Sequence, residues 1–307
     1  MGLRTIPLRF SLVTIIFQLA NRSGIAFQPG VRLTKSGHRL HTAHSMLTDE
    51  EVLALLAKGF RKRITPGREI AARAVAKGLG ERDGDIDWIK ANFSRLVEQV
   101  QADAYEEYKQ AERVAGADTL AEVFIGLLGG HSAEETVRLF GTHFFALDRF
   151  FLGLTQGRRP RAGKAFEYLI KELFVRLHYP FSSQPIINGQ PDFLLPSVEH
   201  FERFAADCII FTVKRTLRER WRQIVTEGTR GLGFFLATID EEVAERDLAE
   251  MLRSRVTLVV PERIKHLRDD YEQAPNVISF EHFFRFYLDP AMDRWREAGI
   301  LTDDLPL

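Results

Sequence analysis

One cysteine in 307 residues, Cys208, leaves no partner for an internal disulfide and no basis for a cysteine-rich zinc site. It stands in the apolar run Cys208-Ile-Ile-Phe211, which reads as a small buried residue. Such cysteine usage fits a reducing, intracellular setting, so a cytoplasmic protein is expected. An excess of charge of either sign is lacking too, because 42 Lys and Arg balance 42 Asp and Glu. A globally basic nucleic-acid binder is thereby excluded, and any such contact must come from a local cluster. There is no Gly-rich phosphate loop and no Ser-His or Cys-His nucleophile arrangement, which argues against a metabolic enzyme. Internal repeats and low-complexity tracts are absent. The apolar run Phe10 to Phe17 is too short to span a bilayer and is followed by nothing like a small-residue cleavage site, so no membrane partner is expected.

Acid is missing altogether from residues 1–48, which carry Arg4, Arg9, Arg22, Arg32, Lys35 and Arg39. The rest of the chain therefore holds 36 basic and 42 acidic residues. Residues 1–46 are expected to be an unstructured extension, or sequence upstream of the true start. The fold is expected to begin at Thr48-Asp-Glu-Glu51, a capping-box start to a helix.

From there to residue 156 the pattern is helical, giving an expected helical region over 47–156. Val52, Leu53, Leu55 and Leu56 open one helix, Ile86 to Val114 reads as a second and Leu120 to Leu128 as a third. Ser132 caps a long one containing Val137, Leu139, Phe140, Phe144, Phe145, Leu147 and Phe150. His131 and His143 have no ligand-like neighbours and read as structural or surface residues. Gly157-Arg-Arg-Pro-Arg-Ala-Gly163 reads as a basic turn that marks a boundary.

Beyond it, over 157–307, helices alternate with buried strands. Lys164 to Leu177 is amphipathic. Pro185 to Leu195 is broken by the turn dipeptide Asn188-Gly189. Cys208 to Val213 is a continuous apolar strand, followed by a helix from about Thr216 to Glu227. Leu232 to Thr238 and Val256 to Val260 are further strands, with a helix near Glu241 to Leu252 between them and a return to helix from Phe280. The expected fold class is α/β, a mixed central sheet flanked by helices and preceded by an all-helical N-terminal region.

Three pieces of this second half carry chemistry. Asp192, in Gln190-Pro-Asp-Phe-Leu-Leu195, starts a short strand. Lys214 ends the most apolar strand, on the same face as Thr212. Glu227 lies thirteen residues further on. On a helix whose buried stripe is Leu217, Trp221, Ile224 and Val225, it falls on the flank and can face the sheet edge. Hydrolysis of a phosphodiester without a covalent intermediate needs carboxylates that hold Mg²⁺ on the phosphate and a cation beside the attacking water. Asp192 and Glu227 supply the first and Lys214 the second. Directly after Lys214, Arg215, Arg218, Arg220 and Arg222 surround one acid, Glu219. Such a cluster on an arbitrary helix would be a solvated face, but here it begins at the catalytic cation of an otherwise acidic body. Arginine pairs bidentately with guanine and a carboxylate accepts from cytosine N4, so Arg218-Glu219-Arg220 suits a run of C:G pairs. Arg215, with Arg158 or Arg159, suits phosphate contacts.

Pro191-Asp192, the 22-residue step to Thr212-Val-Lys214, and Glu227 together resemble the PD-(D/E)xK nuclease core. The match is to the permuted variant, in which Ser or Thr stands two before the lysine and the acid moves to the next helix. The run Phe211-Thr-Val-Lys-Arg-Thr-Leu-Arg-Glu-Arg-Trp-Arg-Gln223 resembles the EcoRII C-terminal/PspGI-like family of type II restriction endonucleases. The similarity continues through Gly233 to Thr238 and Leu258 to Glu262. The resemblance implies a restriction-endonuclease-like core and Mg²⁺-dependent, site-specific cleavage of double-stranded DNA. It implies reading of the CC:GG part of a CC(N/W)GG-type site by Arg218, Glu219 and Arg220, a homodimer, and a cognate DNA methyltransferase in the same system. It also implies a role at the metal for Glu167, on the helix after Arg161-Ala-Gly163. Two alternatives remain open: an inactive DNA-binding protein of the same fold, which would retard but not cut a plasmid, and a structure-selective repair nuclease, which would nick branched DNA regardless of sequence.

Overall fold

Thr48 Oγ1 accepts from the Glu51 N–H and the Glu51 carboxylate accepts from the Thr48 N–H, so two of the N-terminal donors of the first helix are satisfied reciprocally. The structure is a computed structural model that describes residues 47–128, 132–187, 190–217 and 233–301. Its elements run α1 (Asp49–Arg63), α2 (Gly67–Leu79), α3 (Ile86–Ala91), α4 (Phe93–Leu128), α5 (Ala133–Thr142) and α6 (Phe144–Arg176), followed by β1 (Ser182–Ser183) and β2 (Phe193–Leu195). Then come α7 (Val198–Phe204), β3 (Ile209–Val213), β4 (Gly233–Ala237), α8 (Glu245–Arg253), β5 (Val256–Val260), α9 (Glu262–Lys265) and α10 (Asp269–Gln273). The chain closes with β6 (Val277–Ser279), α11 (Phe280–Phe283), a π-helical turn Phe284–Leu288 and α12 (Asp289–Glu297). Among the described residues no helix is long and apolar enough to cross a membrane.

The chain divides into two units, one of residues 1–64 with 111–155 and one of residues 65–110 with 156–307. The sheet-bearing unit thus draws on sequence from both sides of residue 157, because Phe93 is fully buried against Phe174, Phe280 and Phe284. In the first unit, Val52, Leu56 and Phe60 of α1 pack with Ala115, Leu120 and Phe124 and with Ala146, Leu147 and Phe150. The buried His143 ring lies 3.0 Å from the Asp49 carboxylate, a structural tie between α1 and the start of α6. Ser132 caps α5 as expected, with Glu135 completing a second capping box, but the long helix expected from it ends at Thr142, and Phe144 to Phe150 belong to α6.

The sheet has six strands in the order β1-β2-β3-β4-β5-β6. β1, β2 and β3 pair antiparallel, and β3 to β6 pair parallel, so the sheet is mixed and flanked by helices. The alternation along each strand assigns two cores. Leu194, Ile210, Leu236 and Leu258 face Leu248 and Met251 of α8, with Tyr271 and Val277. Phe193, Phe211 and Phe235 belong to an aromatic cluster with Phe174 of α6 and Phe283 of α11. Cys208 is fully buried at the start of β3, and burial pushes its thiol up to about 12, so it stays protonated.

Several elements differ from expectation. The basic stretch 157–163 is not a turn but part of the continuous helix α6, with Pro160 inside it. Proline gives up one helical hydrogen bond, yet Phe166, Leu169, Ile170 and Leu173 after it and Ala146, Leu147 and Phe150 before it are buried. A β-carbon at Gly157 would meet only the far end of the Arg161 side chain, at 2.7 Å, which can shift; Arg161 Nη1 donates to Tyr108 Oη at 2.8 Å. Ile86 to Val114 is not one helix. It breaks at Asn92, whose side chain turns back onto the Trp88 carbonyl, and α4 then runs unbroken through Gly116 to Leu128. Thr216 and Leu217 are not helical; the rest of the helix expected over 216–227 lies outside the described residues, as does Asn188-Gly189. The helix expected from Glu241 starts at Glu245.

Candidate active site

Phe193 of β2 faces Phe211 of β3, and continuing this antiparallel ladder by one residue sets Asp192 opposite Thr212. Lys214 follows two residues on, on the same face. This register brings the groups into contact. Asp192 Oδ2 accepts from the Val213 N–H at 2.8 Å and from Lys214 Nζ at 3.0 Å. The Asp192 side chain is 7% exposed and that of Lys214 39%. A carboxylate buried to this degree persists only with such partners. The pair leaves one carboxylate oxygen and the outer side of an ammonium to face whatever enters. Thr212, where the ordinary nuclease pattern has an acid, is buried, and its hydroxyl has no hydrogen-bond partner among the described residues.

Glu167 of α6 is held by Lys164 and by the Gln184 side chain. Gln184 also donates its main-chain N–H to the Asp192 carbonyl at 2.9 Å, so it bridges Glu167 to the segment that carries Asp192. Neither Gln184 nor Lys164 stood out in the sequence; the three-residue spacing of Lys164 from Glu167 on one helix is a common ion-pair spacing, and no local signal marks Gln184. Only the pairing of β1 with β2 brings Gln184 to this place.

The C-terminal end of β4 fixes the backbone that follows Lys214. The Lys214 N–H donates to the Ala237 carbonyl at 2.9 Å, Thr238 Oγ1 donates to the Arg215 carbonyl at 3.3 Å, and the Leu217 N–H donates to Asp240 Oδ2 at 2.8 Å. The Arg215 guanidinium lies over the Tyr105 ring, 5.9 Å from its centre, with its Nε buried and without a hydrogen-bond partner among the described residues. Arg158 is exposed on α6 rather than in a turn. Glu227, Arg218, Glu219 and Arg220 lie outside the described residues. Among the described residues no group of three or more His, Cys, Asp or Glu could hold a metal. A separate His-Asp contact, His200 with Asp207 at 3.0 Å, is closed off by Trp295, whose Nε1 donates to the same oxygen at 2.8 Å, and so serves packing.

Residues 133–284 match the family model described as EcoRII C terminal. The chain belongs to the EcoRII C-terminal/PspGI-like family. Type II restriction enzyme EcoRII of Escherichia coli is 35% identical to this family member over 128 residues, 38% of this chain and 31% of EcoRII. Type II restriction enzyme SsoII of Shigella sonnei is 28% identical over 220 residues, 66% of this chain and 70% of SsoII. The match to EcoRII thus spans less than a third of that protein's length. A structure of metal-depleted Ecl18kI in complex with uncleaved, modified DNA shares the fold, with a TM-score of 0.67 at 23% identity over 84% of this chain and 88% of that one. The family member therefore has the restriction-endonuclease-like architecture, a mixed six-stranded sheet with flanking helices and an N-terminal helical region.

Proposed function

We propose that this chain is a type II restriction endonuclease that hydrolyses double-stranded DNA at a short CC(N/W)GG-type site with the help of Mg²⁺. The observation that carries the reading is the buried Asp192 carboxylate in contact with the Lys214 ammonium on adjacent strands. The kinship with type II restriction enzymes and the DNA bound to Ecl18kI support it.

The donor set fits a hard cation. The free oxygen of Asp192 and the Thr212 hydroxyl without a partner are oxygen donors, as Mg²⁺ requires. Asp192 and Glu227 would hold the ion, with Glu167 beside them. When bound, it would polarise the scissile phosphate and lower the pKa of a coordinated water. Lys214 keeps its ammonium against Asp192, oriented toward the place where negative charge develops on the phosphate. Asp192 in turn fixes that ammonium and is itself fixed by the Val213 N–H. Arg218, Glu219 and Arg220 read C:G pairs, while Arg215 and Arg158 contact phosphates. The clamps at Ala237, Thr238 and Asp240 hold the backbone leading to that triplet. A palindromic site implies a two-fold protein, so the enzyme acts as a homodimer in the cytoplasm, alongside a methyltransferase that protects the same site. In this reading residues 157–307 carry the endonuclease site, residues 65–110 of the expected helical region 47–156 belong to the same unit, and 1–46 is an extension or sequence upstream of the true start.

The deciding experiment is a digest of supercoiled plasmid with and without Mg²⁺, with the ends mapped to the nucleotide. Discrete fragments ending within CC/GG-containing sites are expected; retarded but uncut DNA would leave a binding protein. Arg218→Ala or Arg220→Ala is expected to cost roughly 1–3 kcal/mol of discrimination at C:G pairs, measured as cleavage-rate ratios on matched and altered duplexes. A uniform loss across all sequences, with a shallower salt dependence, would make that arginine a phosphate contact instead.

A further inference from the structure

Beside the Asp192–Lys214 contact lies a second lysine–carboxylate pair. Lys164 Nζ is 2.6 Å from Glu167 Oε1 and 2.7 Å from Oε2, so one ammonium straddles both oxygens. The Glu167 side chain is only 16% exposed. Gln184 Nε2 adds a third donor to Oε1 at 2.9 Å. Gln184 reaches Glu167 from a left-handed backbone, φ +50°, that residues with side chains seldom adopt. Its main-chain N–H holds Asp192 from the same position. One residue thus ties Glu167 to Asp192, which sets this pair apart from an ordinary three-residue ion pair on a solvated helix.

A carboxylate straddled by an ammonium has its charge already compensated. A divalent cation cannot take up the same two oxygens while the ammonium stays, because like charges at that separation repel strongly where solvent is largely excluded. The lysine is able to leave: its side chain is 39% exposed, and its ammonium lies 5.4 Å from the centre of the Tyr168 ring. Building on the nuclease reading above, we propose that Lys164 is a positioning residue that occupies the cation's place at Glu167 and is displaced when a divalent metal binds. Lys164 thereby sets the metal concentration at which the site fills.

The test uses the full-length protein and Mg²⁺ itself. The unfolding midpoint of the DNA-free protein is followed as Mg²⁺ is raised, since a ligand of the native state stabilises it according to its affinity. Half-maximal cleavage is measured over the same Mg²⁺ range. Lys164→Met is expected to lower the half-saturating Mg²⁺ concentration by about tenfold in both assays. Lys164→Gln, which keeps the length and removes the charge, should do the same and serves if the methionine variant folds poorly. Glu167→Gln is expected to raise that concentration, and adding Lys164→Met to it should then change nothing further. Unchanged or weaker Mg²⁺ binding in both Lys164 variants overturns the proposal, and so does an undiminished gain in the double variant. The parent protein and Asp192→Ala separate the two levels: if the parent does not cut, the nuclease reading fails, and if Asp192→Ala still cuts, the site assignment fails. If the parent cuts, Asp192→Ala is dead and Lys164 is silent, only the role of Lys164 fails.

Discussion

Asp192→Ala and Lys214→Ala should each slow DNA cleavage by at least about a hundred- to thousandfold, the loss that follows removal of one preorganised charge-stabilising group. Lys214→Ala deletes the ammonium and also leaves the Asp192 carboxylate with the Val213 N–H as its one donor among the described residues. Asp192→Ala deletes a buried oxygen donor and frees the lysine to swing into solvent. Neither change should unfold the protein. Lys214 is well over a third exposed, so its pairing adds little to stability once solvent screening is considered. Specific binding in the absence of cleavage should therefore survive, because the arginine triplet and phosphate contacts proposed above are untouched. Single-turnover cleavage of a plasmid, with gel retardation on a matched and an altered duplex, measures both quantities. Cutting within about tenfold of the parent in both variants would sink the assignment of these residues.

The second large effect concerns stability. Phe174 of α6 is fully buried, with its ring centre 5.6 Å from that of Phe193, 5.3 Å from Phe211, 5.8 Å from Tyr179 and 6.4 Å from Phe284. It is the point where α6 meets β2, β3 and the segment after β6. Truncation to Ala removes the ring's transfer free energy and leaves a void that rigid aromatic neighbours cannot fill, so a loss of about 3–5 kcal/mol is expected. The comparison is Phe204→Ala, which removes a ring that is 61% exposed and should stay within about 0.5 kcal/mol. Urea unfolding at fixed protein concentration measures both. A Phe174→Ala loss below about 1.5 kcal/mol would mean that the aromatic cluster relaxes around the gap, contrary to the packing described. Because Phe193 adjoins Asp192, the Phe174 variant should also cut more slowly at temperatures where it remains folded.

The capping box at Thr48 and the cap at Ser132 were legible in the sequence because each is a local device that completes itself within four residues. Strands β3, β4 and β5 were legible because short, predominantly apolar runs rich in Ile, Val, Leu and Phe have few other uses in a chain of this kind. The candidate site was partly legible. Asp192 and Lys214 could be named from residue type and strand position, but their meeting depends on the pairing of β2 with β3, which no local pattern states. What escaped the sequence is of one kind. Gly116 and Pro160 look like punctuation, yet the helices through them continue, since buried residues on both sides hold them in place. Residues 65–110 look like any amphipathic helical stretch; the pattern says which face of Phe93 and its neighbours is apolar, not which partner covers it. Gln184 lies beside Glu167 for reasons of tertiary geometry alone, whereas Lys164 is there by its three-residue spacing on the same helix, which by itself does not mark a site.

The ladder of β2 against β3 also determines where this chain tolerates insertions. One extra residue between Asp192 and Phe193 would carry the carboxylate to the opposite side of the sheet, among Phe174, Phe193 and Phe211, and abolish its meeting with Lys214. The spacing between that aspartate and its strand is thus a fixed length. The 22 residues from aspartate to lysine are not, because α7 and its flanking loops lie between the two strands and can lengthen or shorten without disturbing the pairing. A search for kin of this chain should hold the first distance rigid and let the second float.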